Sequence, residues 1–278
     1  MKYHKNIPQK VIHRYLRHDK KFPHVWCPGC GNGTVLGDIL RAIYHLGLTK
    51  DEIVMVSGIG CSSRMPVYVD FNTLHTTHGR AIAFATGIKF ANPKLKTIVI
   101  TGDGDATAIG GNHFIHACRR NIDITIIIIN NNIYGMTGGQ ASPTTAPGKF
   151  ATTAPYGAIE SNFDICNLAI GAGASFVART TAFHTTEARK LFEKAFMKKG
   201  CSVIDVITQC PVAYGKRNNL STAVQMLKWQ KEQTIPKAAY DKIPEEKRKG
   251  KVIRGILHED DKNEFTAEYQ KLIEKVQK

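Results

Sequence analysis

Thr97-Ile98-Val99-Ile100-Thr101-Gly102-Asp103-Gly104-Asp105 opens the stretch, residues 97–140, whose reading decides the fold. The apolar run turns sharply at the glycines and a helical segment follows. A second apolar run, residues 124–129, then empties into Asn130-Asn131-Asn132-Ile133-Tyr134-Gly135-Met136-Thr137-Gly138-Gly139-Gln140. Two buried strands joined by a helix, with hard-oxygen residues at both strand ends, suit a magnesium–diphosphate site. Magnesium takes oxygen ligands and shares them with phosphates. Asp103 offers a carboxylate, Asn131 an amide oxygen and Ile133 a backbone carbonyl. Glycines at 102, 104 and 135 let the main chain approach a phosphate closely.

Outward from this unit, strands alternate with helices. Residues 53–57 read as a strand, ending in the loop Gly58-Ile59-Gly60-Cys61-Ser62-Ser63-Arg64. Residues 175–179 and 202–208 read as strands too. Helices are expected over 34–46, 80–91, 162–171 and 185–198, on their apolar periodicity and glycine stops. This alternation predicts an α/β fold with a doubly wound, mainly parallel sheet. Residues 142–150, rich in Thr, Pro and Gly, read as a functional loop. Residues 1–25 read as a basic arm, 26–214 as the core domain, and 215–278 as a lysine-rich extension with helices over 221–232 and 264–275.

Composition narrows the class. A hydrophobic content of 42% over 278 residues is ample for a core. No window reaches the roughly 18 consecutive apolar residues of a membrane span, and residues 1–23 lack the apolar run of a secretory signal. Seven cysteines, an odd number, argue for a reducing compartment, hence a cytoplasmic protein. Much of the net charge of +15 sits in residues 2–21 and 237–278, and it calls for an anionic partner. No nucleic-acid-binding signature accompanies it, so an acidic protein, an anionic cofactor or coenzyme A fits better.

Cys27-x-x-Cys30 alone is compatible with zinc, a redox dithiol or an iron–sulfur cluster. Position sorts the other five cysteines. Cys61 and Cys210 fall just past strand C-termini, the edge where α/β sheets collect ligands. Cys118, Cys166 and Cys201 fall on helices or at a strand start and read as packing residues. The set Cys27, Cys30, Cys61 and Cys210 suits zinc and a cluster equally.

Gly-Asp-Gly followed by Asn-Asn, with 25 residues between Gly104 and Asn130, resembles the cofactor motif of thiamine diphosphate enzymes. With Tyr134-Gly135-Met136-Thr137-Gly138-Gly139-Gln140 added, residues 26–215 resemble the β subunit of 2-oxoacid:ferredoxin oxidoreductases, most closely the 2-oxoglutarate type, and the termini fall outside the resemblance. The resemblance implies that Cys27, Cys30, Cys61 and Cys210 hold a 4Fe–4S cluster and that Asp103, Asn131 and the Ile133 carbonyl hold magnesium. It puts Gly104, Asp105, Gly135 and Met136 along the diphosphate, and Ile59, Gly60, Cys61 and Ser62 at the ring end of the cofactor. It implies that Arg64, otherwise an ordinary surface arginine, binds the substrate carboxylate. His78 either contacts the cofactor or caps the helix that follows, and Tyr134 reads as packing.

The implied activity is thiamine-dependent decarboxylation of a 2-oxoacid, or its reverse, forming an acyl-CoA with coenzyme A and passing electrons through the cluster to ferredoxin. Neither Glu160 nor Glu187 sits in a context suited to activating the cofactor. In the family that glutamate belongs to a larger α subunit carrying the pyrimidine-binding domain, so an αβ heterodimer or α2β2 assembly is implied. Two other readings compete: a pyruvate-using or broad-specificity relative, and a zinc-stabilised nucleic-acid-binding protein. A non-redox thiamine enzyme would leave the four placed cysteines unexplained.

Overall fold

The computed structural model describes residues 8–18 and 23–277. The runs rich in Ile and Val form strands buried on both faces, as a parallel sheet covered by helices requires. In chain order the strands are β1 (Ile53–Ser57), β2 (Asn72–His75), β3 (Lys96–Gly102), β4 (Thr125–Asn130), β5 (Ile133–Tyr134), β6 (Gln140–Ala141), β7 (Phe176–Thr181), β8 (Ser202–Ile207), β9 (Thr234–Pro236) and β10 (Val252–Glu259). The helices are α1 (Pro8–His13), α2 (Asn32–His45), α3 (Ala81–Ala91), α4 (Gly111–Arg120), α5 (Ile165–Gly171), α6 (Thr185–Met197), α7 (Ala223–Glu232), α8 (Lys237–Tyr240), α9 (Glu245–Arg248) and α10 (Phe265–Val276).

One sheet of eight strands runs in the order β2-β1-β3-β4-β8-β7-β10-β9. From β2 to β7 every neighbour is parallel; β10 joins β7 antiparallel, and β9 joins β10 parallel. One apolar core lies between the sheet and α2 with α6. A second lies on the other face, under α3, α4 and α5. This is the doubly wound arrangement expected, and each expected core element is present to within three residues.

The eight-stranded sheet also contains three strands that the sequence did not suggest. β2 is short, polar and at the sheet edge. β9 and β10 continue the sheet out of the lysine-rich segment. At the other end, residues 1–7 and 19–22 of the expected basic arm lie outside the described residues. The described part is docked: Tyr15 is buried and its hydroxyl donates to the Leu48 carbonyl at 3.0 Å. Among the described residues no helix is long and apolar enough to cross a membrane.

Candidate active site

The C-terminal ends of β1, β3 and β4 open onto a cavity of about 220 Å3. Its wall is built from residues 59–62, 102–105, 129, 131 and 133–137, with His78. In an open α/β sheet this edge is where strand-end loops diverge and a ligand fits. The loops come close because two glycines permit it. A side chain at Gly58 would lie 2.1 Å from the Asp105 carboxylate, and one at Gly104 would lie 2.2 Å from the Tyr134 ring.

Asp103 is 2% exposed. Its Oδ2 accepts hydrogen bonds from Ser142 Oγ and Thr144 Oγ1, each at 2.6 Å. Burial pushes the carboxyl up to about 6, against the pull of those hydroxyls. A cation beside it would relieve that desolvation. Asn131 lines the same wall, its amide oxygen accepting the Ile133 N–H at 3.2 Å with a second lone pair to spare. One carboxylate, one amide oxygen and a main-chain carbonyl make a hard-oxygen set of the kind magnesium selects.

Asp105 works differently. Its Oδ1 takes His78 Nδ1 at 2.6 Å and the Gly79 N–H at 2.7 Å, while Oδ2 takes Thr101 Oγ1 at 2.6 Å. The carboxylate therefore ties the 76–79 loop to the end of β3. What remains of Asp105 for a diphosphate is its main chain, at the start of a five-residue π-helical turn, Asp105–Ile109. His78 is half-exposed at the cavity, and its ring orientation is fixed by Asp105.

The four singled-out thiols meet beside this cavity. A side chain at Gly135 would lie 3.5 Å from Cys210 Sγ and 3.8 Å from Cys61 Sγ. Burial raises the Cys61 thiol to about 11, with Cys30, Cys210 and Cys27 adding to the rise. Cys30 and Cys210 are raised for the same first reason. Asn32 Nδ2 donates to Cys30 Sγ at 3.3 Å, and Trp26 Nε1 donates to the Cys61 carbonyl at 2.6 Å. Among the described residues no three His, Cys, Asp or Glu side chains converge closely enough to seat a single metal ion. Cys118 and Cys201 are buried 3.7 Å apart and Cys166 is buried in the same core, as packing residues should be.

Of the residues singled out, Ile59, Gly60, Cys61, Ser62, His78, Asp103, Gly104, Asp105, Asn131, Ile133, Gly135 and Met136 all line the cavity. Arg64 stands apart: it is exposed, off the cavity wall, and close enough to lower the Cys61 pKa. The wall contains two aspartates and no glutamate. Glu187 is paired with Arg254 at 2.5 Å, and Glu160 is exposed in a loop. Sequence reasoning missed Ser142 and Thr144 as individual residues. The hydroxyl-rich Ser142-Pro143-Thr144-Thr145 was the available signal.

Residues 58–206 match the family of the thiamine pyrophosphate enzyme, C-terminal TPP binding domain. The chain is 52% identical over 263 residues to the 2-oxoglutarate synthase subunit KorB of Methanocaldococcus jannaschii, covering 95% of this chain and 97% of that one. It is 46% identical over 188 residues to the 2-oxoacid:ferredoxin oxidoreductase subunit beta of Saccharolobus solfataricus, covering 67% and 62% of the two chains. Among solved structures it superposes with a TM-score of 0.85, at 32% identity and over 98% of this chain and 91% of the other, on the 2-oxoglutarate:ferredoxin oxidoreductase from Magnetococcus marinus, solved with 2-oxoglutarate, coenzyme A and succinyl-CoA bound. The likeness therefore reaches well beyond residues 26–215 and takes in terminal sequence that the motifs alone left outside. The zinc-stabilised nucleic-acid reading falls with these matches. The chain belongs to the thiamine pyrophosphate enzymes and, within them, to the β subunits of the 2-oxoacid:ferredoxin oxidoreductases on the 2-oxoglutarate branch.

Proposed function

We propose that this chain, assembled with an α subunit, converts 2-oxoglutarate and coenzyme A, with two oxidised ferredoxins, into succinyl-CoA, CO2, two reduced ferredoxins and a proton. The reverse carboxylation would use the same residues. The observation that carries the reading is at Gly135, where the cavity wall and two of the four thiols meet. A diphosphate cradle and a thiol set in contact suit a reaction in which electrons leave the substrate one at a time.

When bound, thiamine diphosphate supplies an electron sink for decarboxylation, and a 4Fe–4S cluster supplies a one-electron relay. Asp103, Asn131 and the Ile133 carbonyl hold the magnesium that neutralises the diphosphate. The main chain at Gly104, Asp105, Gly135 and Met136 lies along it. His78, with Nδ1 committed to Asp105, offers its other ring nitrogen to the cavity. Ile59, Gly60 and Ser62 shape the ring end and exclude water there. Cys27, Cys30, Cys61 and Cys210 hold the cluster, whose extent exceeds that of one ion. Arg64 binds a carboxylate of the 2-oxoacid at the rim, bidentate geometry favouring arginine. The cofactor-activating carboxylate comes from an α subunit with the pyrimidine-binding domain, in an αβ or α2β2 assembly. A reducing, cytoplasmic setting keeps the thiols available.

The test uses protein purified anaerobically with its α subunit. A broad absorbance shoulder near ~400 nm and about four irons per chain are expected. Turnover on 2-oxoglutarate should exceed that on pyruvate by about tenfold or more, the discrimination expected of a site built to pair a second carboxylate. Colourless protein with stoichiometric zinc overturns the reading.

A further inference from the structure

The four thiols differ in their access to solvent. Cys30, Cys61 and Cys210 are partly buried, whereas Cys27 is exposed, together with Pro28 and Gly29 of the same turn. Three exposed valines gather at this turn. Val25, two residues before Cys27, is 66% exposed, Val212, two after Cys210, is 46% exposed, and Val224 is 61% exposed. Val224 belongs here because its neighbour Ala223 presses on the turn: a side chain at Gly29 would lie 2.5 Å from Ala223 Cβ. A single exposed valine is ordinary; three around one exposed thiol need an explanation.

The charge along the segments that carry them is of one sign. Residues 23–31 and 210–231 contain no Asp or Glu, but do contain Lys216, Arg217, Lys228 and Lys231. Lys216 is exposed, and its backbone N–H is anchored by the Pro211 carbonyl at 3.0 Å, next to Cys210. Lys228 is exposed one helical turn beyond Val224, on the same stripe of α7. A basic chain has lysines everywhere, so the lysines alone decide nothing. The missing carboxylates do: residues 241–268 are as lysine-rich and carry eight of them, Asp241, Glu245, Glu246, Glu259, Asp260, Asp261, Glu264 and Glu268.

We infer that this face, with Cys27 at its centre, Val25, Val212 and Val224 around it and Lys216 and Lys228 on its rim, is where an acidic one-electron carrier protein docks. The inference rests on the proposed function and adds the exit route. An apolar centre with a charged rim suits a small, transient redox encounter steered by complementary charge. Each encounter moves one electron from the reduced cluster to the oxidised carrier. No bond forms or breaks, and two encounters complete one substrate oxidation.

The double variant Lys216→Glu/Lys228→Glu, assembled with the α subunit, tests this with two acceptors, an acidic ferredoxin and the small dye methyl viologen. At low salt the ferredoxin KM should rise by about tenfold or more, and added salt should slow the variant less than the parent, as expected when steering charges are reversed. Viologen turnover should stay within about twofold, because a small cation needs no basic docking face. An unchanged ferredoxin KM with intact viologen turnover overturns the docking face. A parallel loss with both acceptors also overturns it, since the lysines would then act on the electron source. Failure of the variant to assemble on size exclusion assigns the face to the α subunit instead. Absence of viologen turnover in the parent is a different failure, that of the proposed function itself.

Discussion

At the scale of single residues, the buried carboxylate of Asp103 governs the site. Two hydroxyls donate to one of its oxygens, and Thr107 Oγ1 donates to its carbonyl at 2.7 Å, so both ends of the residue are fixed. Hydrogen bonds to a charged group are worth about 1.5–3 kcal/mol each. Thr144→Val should therefore weaken thiamine diphosphate binding by about tenfold or more without affecting iron. Asp103→Ala should abolish cofactor binding, again with iron intact; calorimetric titration and iron assay on one preparation separate the two. Simultaneous loss of cofactor and iron would mean that Asp103 is a structural turn. Asp103 and Asn131 were legible because their spacing is set by one strand–helix–strand unit. Ser142 and Thr144 were not, because they reach Asp103 from 39 and 41 residues away, a distance at which no local pattern operates. Asp105 was legible as a site residue but not as a clamp. Its partners His78 and Gly79 come from a loop whose approach depends on the tertiary fold.

At the scale of elements, the strands of the core were readable because each is an apolar run buried on both faces. β10 was hidden for a physical reason. Its sequence, Val252-Ile253-Arg254-Gly255-Ile256-Leu257-His258-Glu259, is half-buried up to His258, breaks at Gly255 (φ +110°), and shifts register between Ile256 and His258. Neither a clean alternation nor a continuous apolar run survives that. The seam between α2 and α6 hides a further feature. Asp38 is 2% exposed; Oδ1 accepts from Arg41 at 3.2 Å, and Oδ2 has no partner among the described residues. Burial pushes this carboxyl up to about 7, with Arg41 and Arg189 pulling it down. The sign follows from linkage. A carboxyl raised above its usual 3.8 keeps its proton in the folded state, so stability is greatest below that value, falls as pH rises to about 7, and is level beyond. Asp38→Asn should remove this decline, and the gain should be larger at about pH 8 than at about pH 4, with a ceiling of about 4 kcal/mol from the size of the shift. Urea unfolding of both proteins at the two pH values measures it. An equal effect at both would show that Asp38 ionises freely when folded.

At the scale of the whole molecule, the proposed function has the chain provide half of an active site. In that reading it contributes oxygen ligands, a diphosphate loop and four thiols, all on one edge of one sheet. It contributes no glutamate to the cavity wall, since Glu187 is bound to Arg254 and Glu160 is out in a loop. Glu187 lies in the first turn of α6 and pairs with Arg254 of β10. On the proposed function, a carboxylate against the aminopyrimidine ring arrives on another chain. Purified alone, this protein is expected to contain iron and to give no 2-oxoglutarate-dependent reduction of viologen. Turnover should appear when the α subunit is added and should saturate at one α per β chain. An α subunit with its activating glutamate changed to glutamine should bind equally well and restore nothing. If this chain turns over by itself, the activating carboxylate is its own, and the glutamates outside the cavity, Glu187 first, become the residues to change.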